Sequence, residues 1–182
     1  MIELSDGVVT LQKYREEDAE QVFLAVRESI NEILPWMPWC HPEYSLEDSR
    51  VWSASRDLAW SNGLEYDFVI TGAAEALPLG VCGLNHFDYE ARMANMGYWI
   101  RTGETRKGAA TSAALLLARF GFDELRLNRI EILVSTENTP SQKVAEKAGA
   151  KREGLLRGRL VVRNKVHDAI IYSLIPEDLA LS

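Results

Sequence analysis

The chain has 182 residues, 20 Lys+Arg against 27 Asp+Glu, and a formal net charge of −7. Residues 1–91 hold 5 basic and 17 acidic side chains and residues 92–182 hold 15 and 10, an asymmetry that predicts a polyanionic ligand on the basic side and disfavours a general nucleic-acid binder. A 47% hydrophobic, 26% charged composition excludes a disordered, collagenous or coiled-coil chain, and the length suits a single domain over residues 1–182.

Val8-Val9-Thr10-Leu11 reads as the first strand, followed by an amphipathic helix from Glu16-Glu17-Asp18 to about Glu28 with Val22, Phe23 and Val26 on its apolar face. Residues 33–42 contain three prolines with Trp36, Met37 and Trp39, which predicts an aromatic loop. Ser45 with Asp48 three residues later is an N-cap box opening a helix to about Asn62-Gly63 that presents Val51, Leu58 and Trp60. Strands then follow at Tyr66–Thr71, Leu79–Phe87 and Met96–Arg101, separated by a Gly/Ala/Pro turn and a polar turn, as in an antiparallel meander.

Gly108–Phe122 is an apolar helix that must be covered on several sides. Ile130–Val134 is a central strand, and Pro140–Ala148 a helix with Pro in its first turn and Gly149 after its end. Leu155–Val162 and Lys165–Leu174 form a hairpin turning at Arg163-Asn164. The order β-α-α-β-β-β-α-β-α-β-β predicts one α+β domain with a mixed sheet and helices on its faces. No stretch approaches the roughly 20 apolar residues of a membrane span, and the N-terminus lacks a signal peptide, so the expectation is a cytoplasmic protein. Cys40 and Cys82 form no disulfide framework, and with His41, His86 and His167 they show no metal-ligand spacing, so no metal is expected.

The segment Tyr98-Trp99-Ile100-Arg101-Thr102-Gly103-Glu104-Thr105-Arg106-Lys107-Gly108-Ala109-Ala110-Thr111 runs from a strand through a cationic glycine loop into a helix. Free backbone N–H groups, the positive end of the helix dipole and two cations converge there, which suits an anion. The same residues fit, equally well, a turn with a solvated charge pair before a core helix. Neither a Walker loop nor a Gly-x-Gly-x-x-Gly fingerprint is present, which removes support for nucleotide hydrolysis and hydride transfer.

After the strand Ile130–Val134 comes Glu137-Asn138-Thr139-Pro140-Ser141-Gln142-Lys143-Val144-Ala145-Glu146-Lys147-Ala148-Gly149-Ala150. The order strand, basic glycine loop, helix, strand, Asn-x-x-Ser, short helix resembles the GNAT superfamily of N-acetyltransferases. Gly97-Tyr98-Trp99-Ile100, Leu34-Pro35-Trp36-Met37-Pro38-Trp39 and the run from Lys147 to Arg157 resemble its RimL/RimJ ribosomal-protein acetyltransferase group. The resemblance spans nearly the whole chain and implies a GNAT-like fold, a mixed, mostly antiparallel sheet of about seven strands with four main helices on its faces.

It also implies acetyl-CoA as cofactor. Backbone groups of Tyr98, Trp99 and Ile100 would run beside the pantetheine arm, and the loop from Thr105 through Arg106, Lys107, Gly108, Ala109 and Ala110 to Thr111 would cradle the pyrophosphate, with Thr105 departing from the family's Gln/Arg. Asn138 would bond the pantetheine amides, Lys143 would face the phosphates, and Ser141 would protonate the departing thiolate. The family's carboxylate base falls at Asn95, which cannot accept that proton; three readings stay open, that His86 or Asp88 serves through water, that the acceptor amine has a low pKa, or that activity is weak. An α-amino group near pKa 7.7–8.0 is roughly 1–20% neutral at pH 6–7, whereas a lysine near 10.4 is almost wholly charged. Trp36 and Trp39 would wall the acceptor pocket, where the acidic half would draw a cationic amine.

The implied partner is therefore an amine substrate, a protein N-terminus such as that of a ribosomal protein or a small-molecule amine, with neither membrane nor direct nucleic-acid contact. RimL-like chains often pair, which leaves a homodimer open, and the sequence itself does not give the oligomeric state. Asn95 and Thr105 also fit a non-catalytic acyl-CoA-binding domain, and a scaffold without ligand is the third alternative.

Overall fold

The computed structural model describes residues 2–72 and 77–179. Its strands are β1 (Glu3–Ser5), β2 (Thr10–Lys13), β3 (Tyr66–Thr71), β4 (Gly80–Asp88), β5 (Met93–Ile100), β6 (Arg129–Ser135), β7 (Lys151–Val162) and β8 (Lys165–Leu174). Helices are α1 (Ala19–Ile33), α2 (Leu46–Ser61), α3 (Ala109–Asp123), α4 (Thr139–Lys147) and the four-residue α5 (Pro176–Leu179). The strands form one sheet in the order β1-β2-β3-β4-β5-β6-β8-β7, antiparallel throughout except for β5 beside β6.

This is the expected α+β architecture with eight strands rather than about seven. The additional strand is β1, and the first long strand begins at Thr10 rather than Val8. Asp6 explains both: its carboxylate accepts from the N–H groups of Val8 and Val9, and Gly7 takes a φ of +85°, so a tight turn occupies residues 6–9. Helix α1 continues past Glu28 to Ile33 because Ser29 and Ile33 prolong the buried stripe begun by Val22 and Val26. Ser45 and Asp48 form the reciprocal capping box, a device that stabilises a helix start by about 1 kcal/mol. On α2, Val51 and Leu58 face solvent, and Ser49 and Ser53 are the buried residues. Part of the expected Gly/Ala/Pro turn, residues 73–76, lies outside the described residues.

Two apolar clusters sandwich the sheet. One joins Ala113, Ala114, Leu117 and Phe120 of α3 and Ala145 of α4 to Phe68, Leu84, Met96, Ile130, Ile132 and Tyr172. A Cβ on Gly121 would stand 2.8 Å from Ile130 Cδ1, so α3 lies close on β6. The other cluster joins Val22, Val26 and Ile33 of α1 and Cys40 and Tyr44 of the following loop to Val69, Val81 and Trp99. Side chains alternate along a strand. Asn95, Gly97 and Trp99 therefore face α1 and the aromatic loop, while Ala94, Met96 and Tyr98 face α3 and α4.

No helix among the described residues is long and apolar enough to cross a membrane.

Candidate functional site

The site starts from a break in the sheet. Strand β5 pairs with β4 along its length, from Asp88↔Met93 to Gly80↔Ile100. On its other edge it pairs with β6 only at Met93↔Arg129, Ala94↔Ile130 and Asn95↔Glu131, although β5 continues to Ile100 and β6 to Ser135. Beyond Asn95 the strands diverge, leaving the β6-facing backbone donors and acceptors of residues 96–100 without a partner strand. Such an edge accepts an extended ligand by the same hydrogen bonds a neighbouring strand would make.

At the open end of this split, β5 passes into the loop before α3. Helix α1 fixes its start: Ser29 Oγ accepts from Thr102 N at 2.8 Å, Arg101 pairs with Glu28 at 3.0 Å, and Thr102 Oγ1 bonds Glu32. Arg106 has φ +65° and Gly108 φ +92°, with a residue of ordinary φ between. Alternating backbone handedness of this kind turns successive N–H groups into one concavity, a nest for anions. Gly108 is the N-cap of α3 and among the described residues no side chain caps the helix, so the N–H groups of Ala109, Ala110 and Thr111 remain available. A Cβ on Gly108 would meet nothing within 4 Å. The cradle is open and positive through its dipole, a geometry that suits an anion.

Not every residue named from sequence turns toward that cradle. Arg106 and Lys107 are exposed, but Lys107 Nζ lies 2.9 Å from Glu104, which also pairs with Arg101. Thr105 Oγ1 bonds Thr102 O. Lys143 is exposed on α4. The Asn138 side chain accepts from Ser141 N at 3.2 Å. Asn138 is thus the helix cap of α4, while Ser141 Oγ is left for other partners.

That partner is Tyr98. From β5 its hydroxyl donates to Ser141 O at 3.1 Å and stands 3.1 Å from Ser141 Oγ, and burial pushes its pKa up to about 12. The contact brings together the strand on one side of the split and the helix that follows the other.

On the opposite face the Asn95 Nδ2 donates to Asn85 Oδ1 at 2.9 Å, and His86 Nδ1 lies 2.7 Å from the same oxygen. His86 is exposed, with φ +51° in the β-bulge of β4. Its link to Asn95 runs through an amide, which carries no proton between them. Glu131 stands beside Asn95 in the last rung before the split and pairs with Arg129 at 2.9 Å. A Cβ on Gly97 would meet nothing within 4 Å, so the sheet is uncovered at Gly97, between Asn95 and the buried Trp99.

The aromatic loop closes over this region. The Trp39 ring is 6.3 Å from Trp99 on β5, and Trp36 is 6.3 Å from His167 on β8. The two tryptophans therefore touch both sides of the split, and Trp39 keeps 41% of its surface exposed. His167 is buried, with Nδ1 3.3 Å from Ser135 Oγ and 3.8 Å from Glu137. Sequence reasoning missed Glu131, Ser135, Glu137, His167 and the hydroxyl of Tyr98 as neighbours of the site. The spacing Glu137-Asn138 after an apolar strand was the available signal for the turn; the others depend on strand register. Among the described residues no cluster of His, Cys, Asp or Glu is placed to hold a metal.

Residues 9–151 match the family described as "Acetyltransferase (GNAT) domain". The chain is 28% identical over 173 residues to "Putative ribosomal N-acetyltransferase YdaF" of Bacillus subtilis (strain 168), covering 93% of this chain and 92% of that one. It is 37% identical over 102 residues to "Uncharacterized N-acetyltransferase p20" of Bacillus licheniformis, covering 56% and 57% of the two chains. In structure it is similar to Mycobacterium smegmatis RimJ in complex with CoA-disulfide, with a TM-score of 0.84, 27% identity, and 95% and 84% of the two chains covered.

Proposed function

The chain belongs to the GNAT family of acetyltransferases, and from that premise we propose that it acetylates the N-terminal α-amino group of a protein. It is an acetyl-CoA-dependent N-acetyltransferase with the GNAT fold. The protein acceptor rests on its likeness to relatives named for ribosomal acetylation. The observation that carries the assignment of the site is the ladder between β5 and β6, which stops after Asn95↔Glu131 and opens toward the uncapped start of α3.

Bound acetyl-CoA supplies an acetyl carbonyl activated as a thioester. Backbone groups of Tyr98, Trp99 and Ile100 hold the pantetheine arm as an added strand, Asn138 bonds its amides, and the N–H groups of Ala109, Ala110 and Thr111 hold the pyrophosphate. Arg106, Lys107 and Lys143 contribute a screened positive field, and Thr105 orders the loop through Thr102. A backbone N–H in the Tyr98–Ile100 stretch stabilises negative charge as it develops on the carbonyl oxygen. Ser141 gives a proton to the departing sulfur.

The acceptor amine enters from the opposite face, over Gly97, between Trp36 and Trp39. Asn95 orients the amine or a water through its amide and removes no proton, and His86 holds Asn85 and Asn95 in place. The amine must therefore lose its proton to water before attack, a requirement that an α-amino group meets far better than a lysine.

The test follows CoA thiol release with acetyl-CoA and a panel of N-terminal peptides, lysine peptides, polyamines and aminoglycosides. Release with the N-terminal peptides, several-fold or more above the lysine peptides, is the expected result. Preference for lysine or a small amine overturns the acceptor assignment. Tight acetyl-CoA binding with no release for any amine replaces the enzyme by an acyl-CoA-binding domain.

A further inference from the structure

Backbone groups of Tyr98 line the split, and its side-chain hydroxyl reaches directly from β5 to Ser141 on α4. We propose that the Tyr98 hydroxyl is a positioning residue for catalysis, acting through Ser141: it holds the Ser141 Oγ and directs the serine O–H toward the departing sulfur. The proposal rests on the placement of acetyl-CoA in the split given above.

The geometry offers two arrangements of the same atoms. Tyr98 has one proton, and both Ser141 O and Ser141 Oγ lie 3.1 Å from its oxygen. When Tyr98 donates to the Ser141 carbonyl, its bond with Oγ requires Ser141 to donate, and the serine proton is held by the phenol. When Tyr98 donates to Oγ instead, the serine O–H is released to a third partner. The two states differ by rotation of two hydroxyls and no movement of the backbone. Negative charge growing on a sulfur near Oγ selects the second state, because a hydrogen bond to an ionised acceptor is roughly twice as strong as a neutral one.

Neither hydroxyl is a store of acid. Burial raises the Tyr98 pKa, and a serine alkoxide is less accessible still, so any proton leaving Ser141 must be replaced in the same event. The balance is as follows. The ammonium acceptor first loses one proton to water. The neutral nitrogen then forms the C–N bond, the C–S bond breaks, and one of the two remaining nitrogen protons reaches sulfur by way of Ser141 Oγ. The products are the amide, the CoA thiol and the proton already lost to water. Tyr98 stays protonated throughout and supplies the bond that keeps Oγ aimed.

The alternative role for the same contact is a tie between β5 and α4. Loss of one such hydrogen bond would lower stability slightly and leave the chemistry alone. Tyr98→Phe, Ser141→Ala and the double variant separate these roles, each assayed with acetyl-CoA and with acetyl 4-nitrothiophenol, a donor whose thiolate departs unprotonated. Each single variant should lower kcat by about 10- to 100-fold with acetyl-CoA, the double variant no further, because residues acting as one unit are not additive. The KM for acetyl-CoA should stay within about threefold, and the deficit should vanish with the nitrothiophenyl donor.

Unchanged kcat in Tyr98→Phe, additive losses, or an equal deficit with both donors would overturn the proposal while leaving the cofactor site standing. A wild-type chain whose Tm is not raised by acetyl-CoA would overturn the site itself.

Discussion

The two edges of β5 differ: one is paired from end to end and the other is left open beyond Asn95. Toward β4 its pairing runs from Met93 to Ile100; toward β6 it ends at Asn95. The paired half, β2 to β5, is closed by α1 and by Arg56, which bonds Asp67 at 2.7 Å and also Glu65. The split half carries an uncapped helix, an open space at Gly97 and a hydroxyl pair at Tyr98 and Ser141. Changes in the paired half should alter stability without altering acetyl-CoA affinity, and changes in the split half should do the reverse.

The largest effect should come from Gly108→Glu. A side chain at φ +92° is strained by about 1 kcal/mol, and the carboxylate would sit in the cradle proposed for the phosphates. Acetyl-CoA affinity should fall at least about 100-fold by calorimetry, equivalent to about 2.7 kcal/mol, with the far-UV circular dichroism unchanged. Retained affinity would break the contrast at its strongest point.

Gly97→Val should have a moderate effect. Its Cβ has room, so the sheet should tolerate it, but the added methyls occupy the space before Asn95. The KM for the acceptor peptide should rise about tenfold while acetyl-CoA affinity stays within about twofold. Equal loss of both would show that Gly97 opens onto the cofactor instead.

The smallest effect belongs to the paired half. Burial pushes the Asp67 carboxyl up to about 6 despite Arg56, so between its unfolded value near 4 and about 6 the folded state binds more protons than the unfolded one. Stability from this group is therefore full below that window and is lost as pH rises through it. In thermal melts at pH 4.5 and 7, wild type should lose Tm relative to Asp67→Asn on going to pH 7, with acetyl-CoA affinity equal in both. A relative gain at pH 7 would reverse the sign.

Local features of the chain were legible where neighbours in sequence settle the geometry. Ser45 with Asp48, the Arg163-Asn164 turn whose residues both take positive φ, and Gly108 before α3 involve contacts within a few residues. The three-residue strand β1 escaped because Asp6 and Gly7 form its turn and the strand itself is too short to show a period. Tyr98 and Ser141 are 43 residues apart, and Ser135 and His167 are 32 apart. Such meetings need the sheet order and register, which no local pattern encodes. The same applies to Glu131 beside Asn95: the residues are visible, but their adjacency exists only because β5 and β6 run parallel there. The glycine loop before α3 was readable because local backbone builds it, and the surroundings of Asn95 and Trp99 were less so because long-range side-chain contacts build them.

The central claim is that the unpaired edge of β5 is completed by the pantetheine arm. Amide hydrogen exchange across residues 96–100, with and without acetyl-CoA, measures this directly. Exchange in that stretch should slow about tenfold or more on binding, while β3 and β4 change little. Acetyl-CoA bound at saturation with no added protection along β5 would contradict the account.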